Sequence, residues 1–352
     1  MQLRTVKKGS KVRVALLGCG RIARLAHLRV LSEHPRTEVV SVADQDPRVA
    51  DYVALNAPGA HFFTATSELL EKTKPDAVVI ALPTVSHRDA AVAAFRAKSA
   101  VYLEKPIAAT LEDAHAIRDA WATSARIGRI GFNLRFGALH LELKDAIARG
   151  EIGSPVAVRS AWTARFPEEA TWRLSAPLGG GAMLELASHH VDLLRFVFEA
   201  EVKSVSAEAW SNRGDDQAAN ISLTLSNGLH AGMFVSYGSV EEDRFEVYGT
   251  EGKLSINRYD SLILERSGPF AKGGLATATK RLVSEVRAMK YGIEKRKAPG
   301  QEPSFAASIG AFIDAVSDGK SGKPDIDDGV RALEVIDAAR RSAAAESRVV
   351  HL

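Results

Sequence analysis

Residues 12–34 read VRVALLGCGRIARLAHLRVLSEH, and this stretch decides the fold. A mainly apolar run enters Gly18-Cys19-Gly20, and a helical pattern follows at once. The spacing is G-x-G-x-x-A, with Ala23 in the place of the third small residue. The first glycine permits a tight turn, the second lets the main chain approach a pyrophosphate, and the third small residue lets the helix pack close to the strand. Phosphates would then meet a helix N-terminus, where free N–H groups and the dipole favour negative charge. The next strand-like run, EVVSVAD, ends in Asp44, 24 residues past Gly20. An acid there accepts both ribose hydroxyls of an adenosine and repels a 2′-phosphate. No arginine stands beside it in ADQD, so NAD is expected in preference to NADP. Gly18, Gly20, Arg21, Ile22 and Asp44 are the candidate cofactor contacts here; the bland alternative is a glycine turn with a surface aspartate.

Working outward, apolar runs of five or six residues alternate with amphipathic helical patterns as far as RIGRIGF. Such runs read as a parallel sheet covered on both faces. A Rossmann-type, doubly wound α/β domain is therefore expected over 10–132. Open α/β sheets bind ligands at the carboxyl ends of their strands, and two motifs fall there. DAVVIALPTVSH places Leu82, Pro83, Thr84 and His87 just beyond one strand; VYLEKP places Glu104 and Lys105 beyond the next. All six are candidate cofactor-binding residues, His87 with a packing or helix-capping role as its alternative. A half-buried lysine at that edge can donate to a substrate oxygen, and burial would lower its pKa enough to move protons. A plain surface lysine is the competing reading.

From 133 to 352 the pattern changes. After a linking helix, strand-like runs follow one another, from PVAVRSAWTARF through VKSVSAEAW, AANISLTLS, LHAGMFVSYG, DRFEVYGT and GKLSINR to SLILERS. SNG at 226–228 and GTEG at 249–252 are hairpin turn signals. This reads as a separate α+β domain with a large open, mostly antiparallel sheet. Between its first two strands lies GGGAMLELASHHVDLLRF, residues 179–196, in which Glu185, His189 and Asp192 recur at i, i+4 and i+7 on one helical face. A histidine titrates near neutral pH, so His189 suits proton transfer. The glycines would let the backbone approach cofactor or substrate closely. A zinc site on the i, i+4 pair and a merely structural cluster are the alternatives; no metal is expected. Asn133 and Arg135 after the last nucleotide-domain strand, and Arg165, Trp172 and Arg173 on the loop before the helix, suit a polyhydroxylated ring, as Glu185 and His189 do.

Taken together, GCGRIA, Asp44, PTVSH, EKP and the GGG…E…SHH.D segment resemble the Gfo/Idh/MocA family of oxidoreductases (glucose–fructose oxidoreductase, inositol dehydrogenase and rhizopine catabolism). The resemblance extends through EPSFAASIGAFIDAVSDGK and DIDDGVRALEVIDAARRSA near the C-terminus. It implies an NAD-dependent dehydrogenase acting on a sugar or inositol hydroxyl. Lys105, His189 and Glu185 are then catalytic, with His189 as acid/base on a helix facing the nicotinamide and Glu185 orienting its imidazole or binding a neighbouring hydroxyl. Redox-neutral glycoside hydrolysis or epimerisation, and a non-catalytic dinucleotide sensor, share the scaffold. The family's open sheet face implies a homo-oligomer, a dimer or tetramer. Two departures stand out: Glu185 where most members carry aspartate, and Ala187-Ser188 for a more usual Gly-Val. The longer arm shifts the catalytic-site carboxylate of Glu185 by about 1.5 Å.

The bulk numbers agree with this class. The formal charge of +3 argues for no nucleic-acid partner, and no apolar run approaches a membrane span. A single cysteine, Cys19, precludes an intrachain disulfide, and a cytoplasmic location is expected. One segment is unusual: 266–300 holds nine Lys or Arg and two Glu, a local +7 that leaves −4 for the rest. Leu275, Leu282, Val286, Met289 and Ile293 make a helical stripe within it, so a basic amphipathic helix is expected near 272–297, packed on its own domain or a subunit interface with its lysines solvated.

Overall fold

A computed structural model describes residues 10–166, 171–268 and 275–352. The described residues form two units. One joins the chain up to Asn133 with Glu302–Leu333; the other joins Leu134–Gln301 with Glu334–Leu352.

The first unit is built on six parallel strands, β1 (Val12–Leu17), β2 (Thr37–Ala43), β3 (His61–Phe63), β4 (Ala77–Ile80), β5 (Ala100–Leu103) and β6 (Gly128–Ile130). Their order is β3-β2-β1-β4-β5-β6, the doubly wound arrangement in which strand order reverses between β1 and β4. The strands β1, β4 and β5 are almost wholly buried. This is why they read as continuous apolar runs rather than alternating ones. β3 is short and edge-lying, which explains why no clear apolar run announced it.

The return of Glu302–Leu333 to this unit has a physical cause. Helical residues Ile309, Phe312, Ile313 and Val316 form an i, i+3, i+4, i+7 stripe and join the core cluster with Val12, Val14, Leu16 and Tyr102. Tyr102 Oη and Ser308 Oγ lie 3.1 Å apart inside it. At the rim, Arg36 pairs with Asp314 and Asp318 at 2.6 Å each. The single boundary expected at 132/133 assigns this helix to the second domain, whereas the structure groups it with the first unit.

The second unit carries an eight-stranded sheet, β7 (Pro155–Ala164), β8 (Val202–Trp210), β9 (Ala218–Leu225), β10 (His230–Tyr237), β11 (Glu242–Gly249), β12 (Lys253–Asn257), β13 (Glu265–Ser267) and β14 (Val350–His351). Its order is β13-β12-β11-β7-β10-β9-β8-β14, and only the β7–β10 pair is parallel. Burial alternates along β9 and β10, as a sheet with one solvated face requires. Asn227 and Gly228 make the β9–β10 turn, with Gly228 at φ +85°. SLILERS contributes only the three residues of β13, and the two-residue β14 had no sequence signal. The basic helix runs Leu275–Lys297. Its stripe residues Val286, Met289 and Ile293 are 52%, 64% and 40% exposed, so of the two expected seats, its own domain or a subunit interface, that part of the stripe does not take the first.

Truncation of Phe312, which is fully buried, tests the assignment of the returning helix. Phe312→Ala is expected to cost about 3–5 kcal/mol in urea unfolding followed by circular dichroism.

Candidate active site

In the first unit the glycine loop stands where strand order reverses. Gly18 has φ +86°, and a Cβ there would stand 2.5 Å from the Ala81 carbonyl oxygen at the end of β4. Only glycine satisfies both the left-handed backbone and that approach. A Cβ on Gly20 would meet nothing within 4 Å, so the second glycine faces open space. The Asp44 carboxylate is anchored to the same loop: Cys19 N–H donates to Oδ2 at 2.7 Å and Asp46 N–H to Oδ1 at 2.9 Å. Arg21 is exposed and Ile22 half-buried at the start of the helix. Arg24 comes to this edge through the fold, where its Nε donates to Cys19 O at 2.8 Å and its guanidinium carbon sits 5.1 Å over the Tyr52 ring. Cys19 is fully buried, and burial, partly offset by Arg24, raises its thiol pKa. An open glycine facing space beside a fixed carboxylate fits a dinucleotide.

The two strand-end motifs lie on the same edge. Thr84 is buried, Pro83 exposed and Leu82 half-buried. His87 is buried between two main-chain carbonyls, Nδ1 2.9 Å from Pro106 O and Nε2 2.9 Å from Leu82 O, and donates from the nitrogen that carries the proton. It bridges the ends of β4 and β5, so its contribution is to hold two loops rather than to offer a ring nitrogen to a ligand. Lys105 is half-buried. Glu104 is directed inward, 2.7 Å from the fully buried His27. Asn133 also turns inward, donating from Nδ2 to Ser304 Oγ at 2.7 Å, which gives it a structural partner in place of the expected substrate.

In the second unit the glycine-rich stretch leads into a π-helical turn, Met183–Ala187, continued by the α-helix Ser188–Phe198. A Cβ on Gly180 would stand 2.5 Å from Trp172 O and Arg173 O, and one on Gly181, at φ +96°, 2.7 Å from the Asp216 carboxylate. The glycines thus admit protein backbone and a capping carboxylate, not the close ligand approach expected of them. Asp216 caps the helix: its carbonyl accepts from Ala182 N–H at 2.7 Å and its Oδ2 from Met183 N–H at 3.3 Å. Arg340 Nη2 lies 3.6 Å from it and donates to Gly180 O at 2.9 Å. Burial pushes the Asp216 carboxyl up to about 7, against the pull of Arg340 and Met183 N–H.

The π turn uses i→i+5 bonding, so α-helical facing does not carry through it. Glu185 is buried inside the turn, with Arg173 Nε 3.7 Å from its Oε2. The Arg173 guanidinium carbon is also 5.5 Å over the Trp172 ring. His189 is buried, its ring centre 5.1 Å from that of Trp162. Asp192, expected beside Glu185 and His189, instead binds Arg135 through two bonds of 2.8 and 2.6 Å. Both partners are buried, which makes Arg135 a structural cation rather than the expected substrate contact. Arg165 is exposed at the end of β7.

A second buried network, unannounced by any local spacing, supports the same helix. His190 Nε2 lies 2.9 Å from Asp243 Oδ1, and Arg258 Nε donates to Asp243 Oδ2 at 2.5 Å. Burial alone would raise the Asp243 pKa, but Arg258 and His190 together hold it far below the usual carboxylate range. Trp162 lies within reach of both His190, at 5.6 Å, and the Arg258 guanidinium, at 5.2 Å. Among the described residues, no group of three His, Cys, Asp or Glu could hold a metal ion. No described helix is long and apolar enough to cross a membrane.

Comparison with known proteins places this geometry. Residues 12–132 match "Oxidoreductase family, NAD-binding Rossmann fold", and residues 140–255 match "GFO/IDH/MocA C-terminal domain". The chain belongs to the Gfo/Idh/MocA oxidoreductase family. A 1,5-anhydro-D-fructose reductase of Ensifer adhaerens is 32% identical over 249 residues, covering 69% of this chain and 74% of the relative. An inositol 2-dehydrogenase of Rhizobium meliloti (strain 1021) is 29% identical over 360 residues, covering 96% and 98%. In structure, the WlbA dehydrogenase from Bordetella pertussis, solved with NADH and UDP-GlcNAcA, gives a TM-score of 0.83 at 24% identity, with 98% of each chain covered. This family member therefore carries an NAD-binding Rossmann domain and a mostly antiparallel second sheet.

Two measurements test these placements. Gly18→Ala is expected to abolish saturable NAD binding in calorimetry, because the strand end at Ala81 has no room for the methyl group. For Asp216, the folded-state pKa of about 7 lies above the ordinary 3.8. The folded state then holds the extra proton, so Asp216 costs stability progressively as pH rises through that window. Asp216→Asn should gain in urea stability relative to wild type between pH 5 and about 8. A pH-independent difference would contradict the assignment.

Proposed function

We propose that this enzyme is an NAD-dependent dehydrogenase of a secondary hydroxyl on a sugar, an inositol or a sugar derivative. The observation that carries the reading is the shared strand edge of the first unit, where the open Gly20, the anchored Asp44 and the half-buried Lys105 stand together. The named activities of the relatives, a 1,5-anhydro-D-fructose reductase and inositol 2-dehydrogenases, support a polyol ring as the substrate class.

Bound NAD supplies the hydride acceptor. When NAD binds, Asp44 would hold the adenosine ribose and Gly20 would admit the pyrophosphate. Lys105 donates a hydrogen bond to the reacting oxygen and stabilises the negative charge that develops there. His189 takes the hydroxyl proton during oxidation and returns it during reduction. Its ring packs against Trp162, with centres 5.1 Å apart and planes tilted by 40°. Glu185, with Arg173 close by, binds a neighbouring hydroxyl, and Arg173 with Trp172 offers a cation and an aromatic face to the ring.

We further propose a homo-oligomer that uses the solvated face of the eight-stranded sheet. Trp210 is 43% exposed there and stacks on Phe234 with ring centres 6.2 Å apart, an apolar feature that a second copy would cover.

The direct test offers purified protein and NAD a panel of sugars, inositols and sugar acids while NADH absorbance is followed. One substrate class should give NADH, and Lys105→Ala and His189→Ala should each lower kcat/KM by about 100-fold or more. Confirmed NAD binding without NADH from any substrate would overturn simple oxidation.

A further inference from the structure

Lys105 is flanked along the chain by two buried imidazoles. On its N-terminal side, Glu104 sends its carboxylate inward to His27, with Nε2 and Oε1 2.7 Å apart. On its C-terminal side, the Pro106 carbonyl is 2.9 Å from His87 Nδ1. The two histidines come from different elements. His27 ends a π-helical turn, Ala23–His27, in the dinucleotide-motif helix, whereas His87 opens the helix His87–Arg96. Lys105 is thus the centre of a three-residue segment whose two neighbours are tied to separate parts of the first unit.

The His27 link has the features of a built contact. His27 is completely buried, and its ring is met edge-on by Tyr102 and Phe305, each with centroids 6.1 Å away. Its Nδ1 has no hydrogen-bond partner among the described residues. A carboxylate only accepts, so the ring proton belongs on Nε2, facing Glu104. The carboxylate is confined from the other side as well: a Cβ on Gly131 would stand 2.9 Å from Oε1 and 3.0 Å from Oε2. A packed glycine and one directed hydrogen bond confine the Glu104 carboxylate, and two aromatic edges hold the His27 ring that it meets. A buried polar pair of this kind specifies geometry more than it adds stability.

We infer that His27 is a positioning residue for Lys105, acting through Glu104, with His87 holding the far side of the same segment. The inference rests on the proposed role of Lys105 at the reacting oxygen. It makes the dinucleotide-motif helix responsible for two things, the seat of the pyrophosphate at its N-terminus and the aim of the lysine through His27 two turns later. Displacing a catalytic group by an ångström from a distance costs as much as about 100-fold in rate.

The test compares His27→Leu, His27→Gln and Glu104→Ala in the full chain. Glutamine places an N–H donor near the position of the imidazole Nε2, whereas leucine fills the space without donating. Two readouts are taken. The first is kcat per NAD-binding molecule at saturating NAD and substrate. The second is the ¹³C NMR resonance of Lys105 after reductive ¹³C-methylation, assigned with Lys105→Arg, which requires no turnover. The expected result is a kcat lower by about 10- to 100-fold in His27→Leu and Glu104→Ala, with KM for NAD changed less than about 3-fold. The Lys105 resonance should shift or split in the same two variants, and His27→Gln should recover most of both signals. A Lys105 resonance and kcat unchanged in His27→Leu, with only thermal stability lowered, would reduce His27 to a core residue and overturn the inference. Should His27→Leu fail to fold, Glu104→Ala against His27→Gln decides by the same criteria. Failure of the dehydrogenase reading is separable: wild type then yields no NADH, while the Lys105 resonance still reports whether His27 aims the side chain.

Discussion

The contact between Gly18 and the Ala81 carbonyl is the constraint on which the first unit depends. It lies where the strand order turns back, between β1 and β4, and it fixes how far the first helix stands from the sheet end. Every polar feature of that edge is referenced to it. The Cys19 amide, held in place by the turn, donates to Asp44, and Ala81 leads directly into the loop that His87 ties to Pro106. One backbone approach therefore sets the Asp44 side and the Lys105 side of the edge together. A side chain at position 18 would disturb both, which is why glycine there is a chemical requirement and not a preference.

The second unit reaches comparable rigidity by a costlier route. Asp192–Arg135 and His190–Asp243–Arg258 are buried charged or ionisable groups, and such groups lose several kcal/mol of hydration each before any pairing is counted. The apolar alternative would often be more stable. What the charged versions supply is directional: each pins a specific turn of the helix that carries His189. The Asp216 cap adds a third restraint at the helix start, and its raised pKa measures how far burial has outweighed its partners.

The legibility of the fold and of the site differed for a physical reason. Periodicity reports burial of apolar faces, so the longer strands of both sheets and the hairpin turns could be read from the chain, whereas the short edge strands β3 and β14 could not. The glycine loop, Asp44 and the Glu-Lys-Pro strand end could also be read, because each is local. What could not be read is any polar pairing made across the fold. Asp192 sits at the right helical spacing from His189, yet Arg135, 57 residues earlier, claims it. Glu104 looked like a cofactor contact, yet its partner is His27, 77 residues away. Asp216 and Arg340 carry no local pattern at all. The triple glycine misled in an instructive way: a glycine run signals close approach, but only the fold tells whether the approaching atoms belong to a ligand or to Trp172 and Arg173.

Both π-helical turns among the described residues occur on the helices that carry the candidate chemistry, Ala23–His27 after the glycine loop and Met183–Ala187 before His189. Such turns are rare, well under 1% of residues, and they recur at functional sites. Each is braced where it begins: Arg24 reaches back to Cys19 O in one, and Asp216 accepts from Met183 N–H in the other. A π turn rotates the residues that follow it relative to an uninterrupted helix. It can therefore bring a side chain such as His27 or Glu185 to a heading that 3.6-residue periodicity would deny it. The glutamate at 185 is then intelligible as part of that geometry. The reach of its extra methylene has to be judged from the π turn, not from an ideal helix.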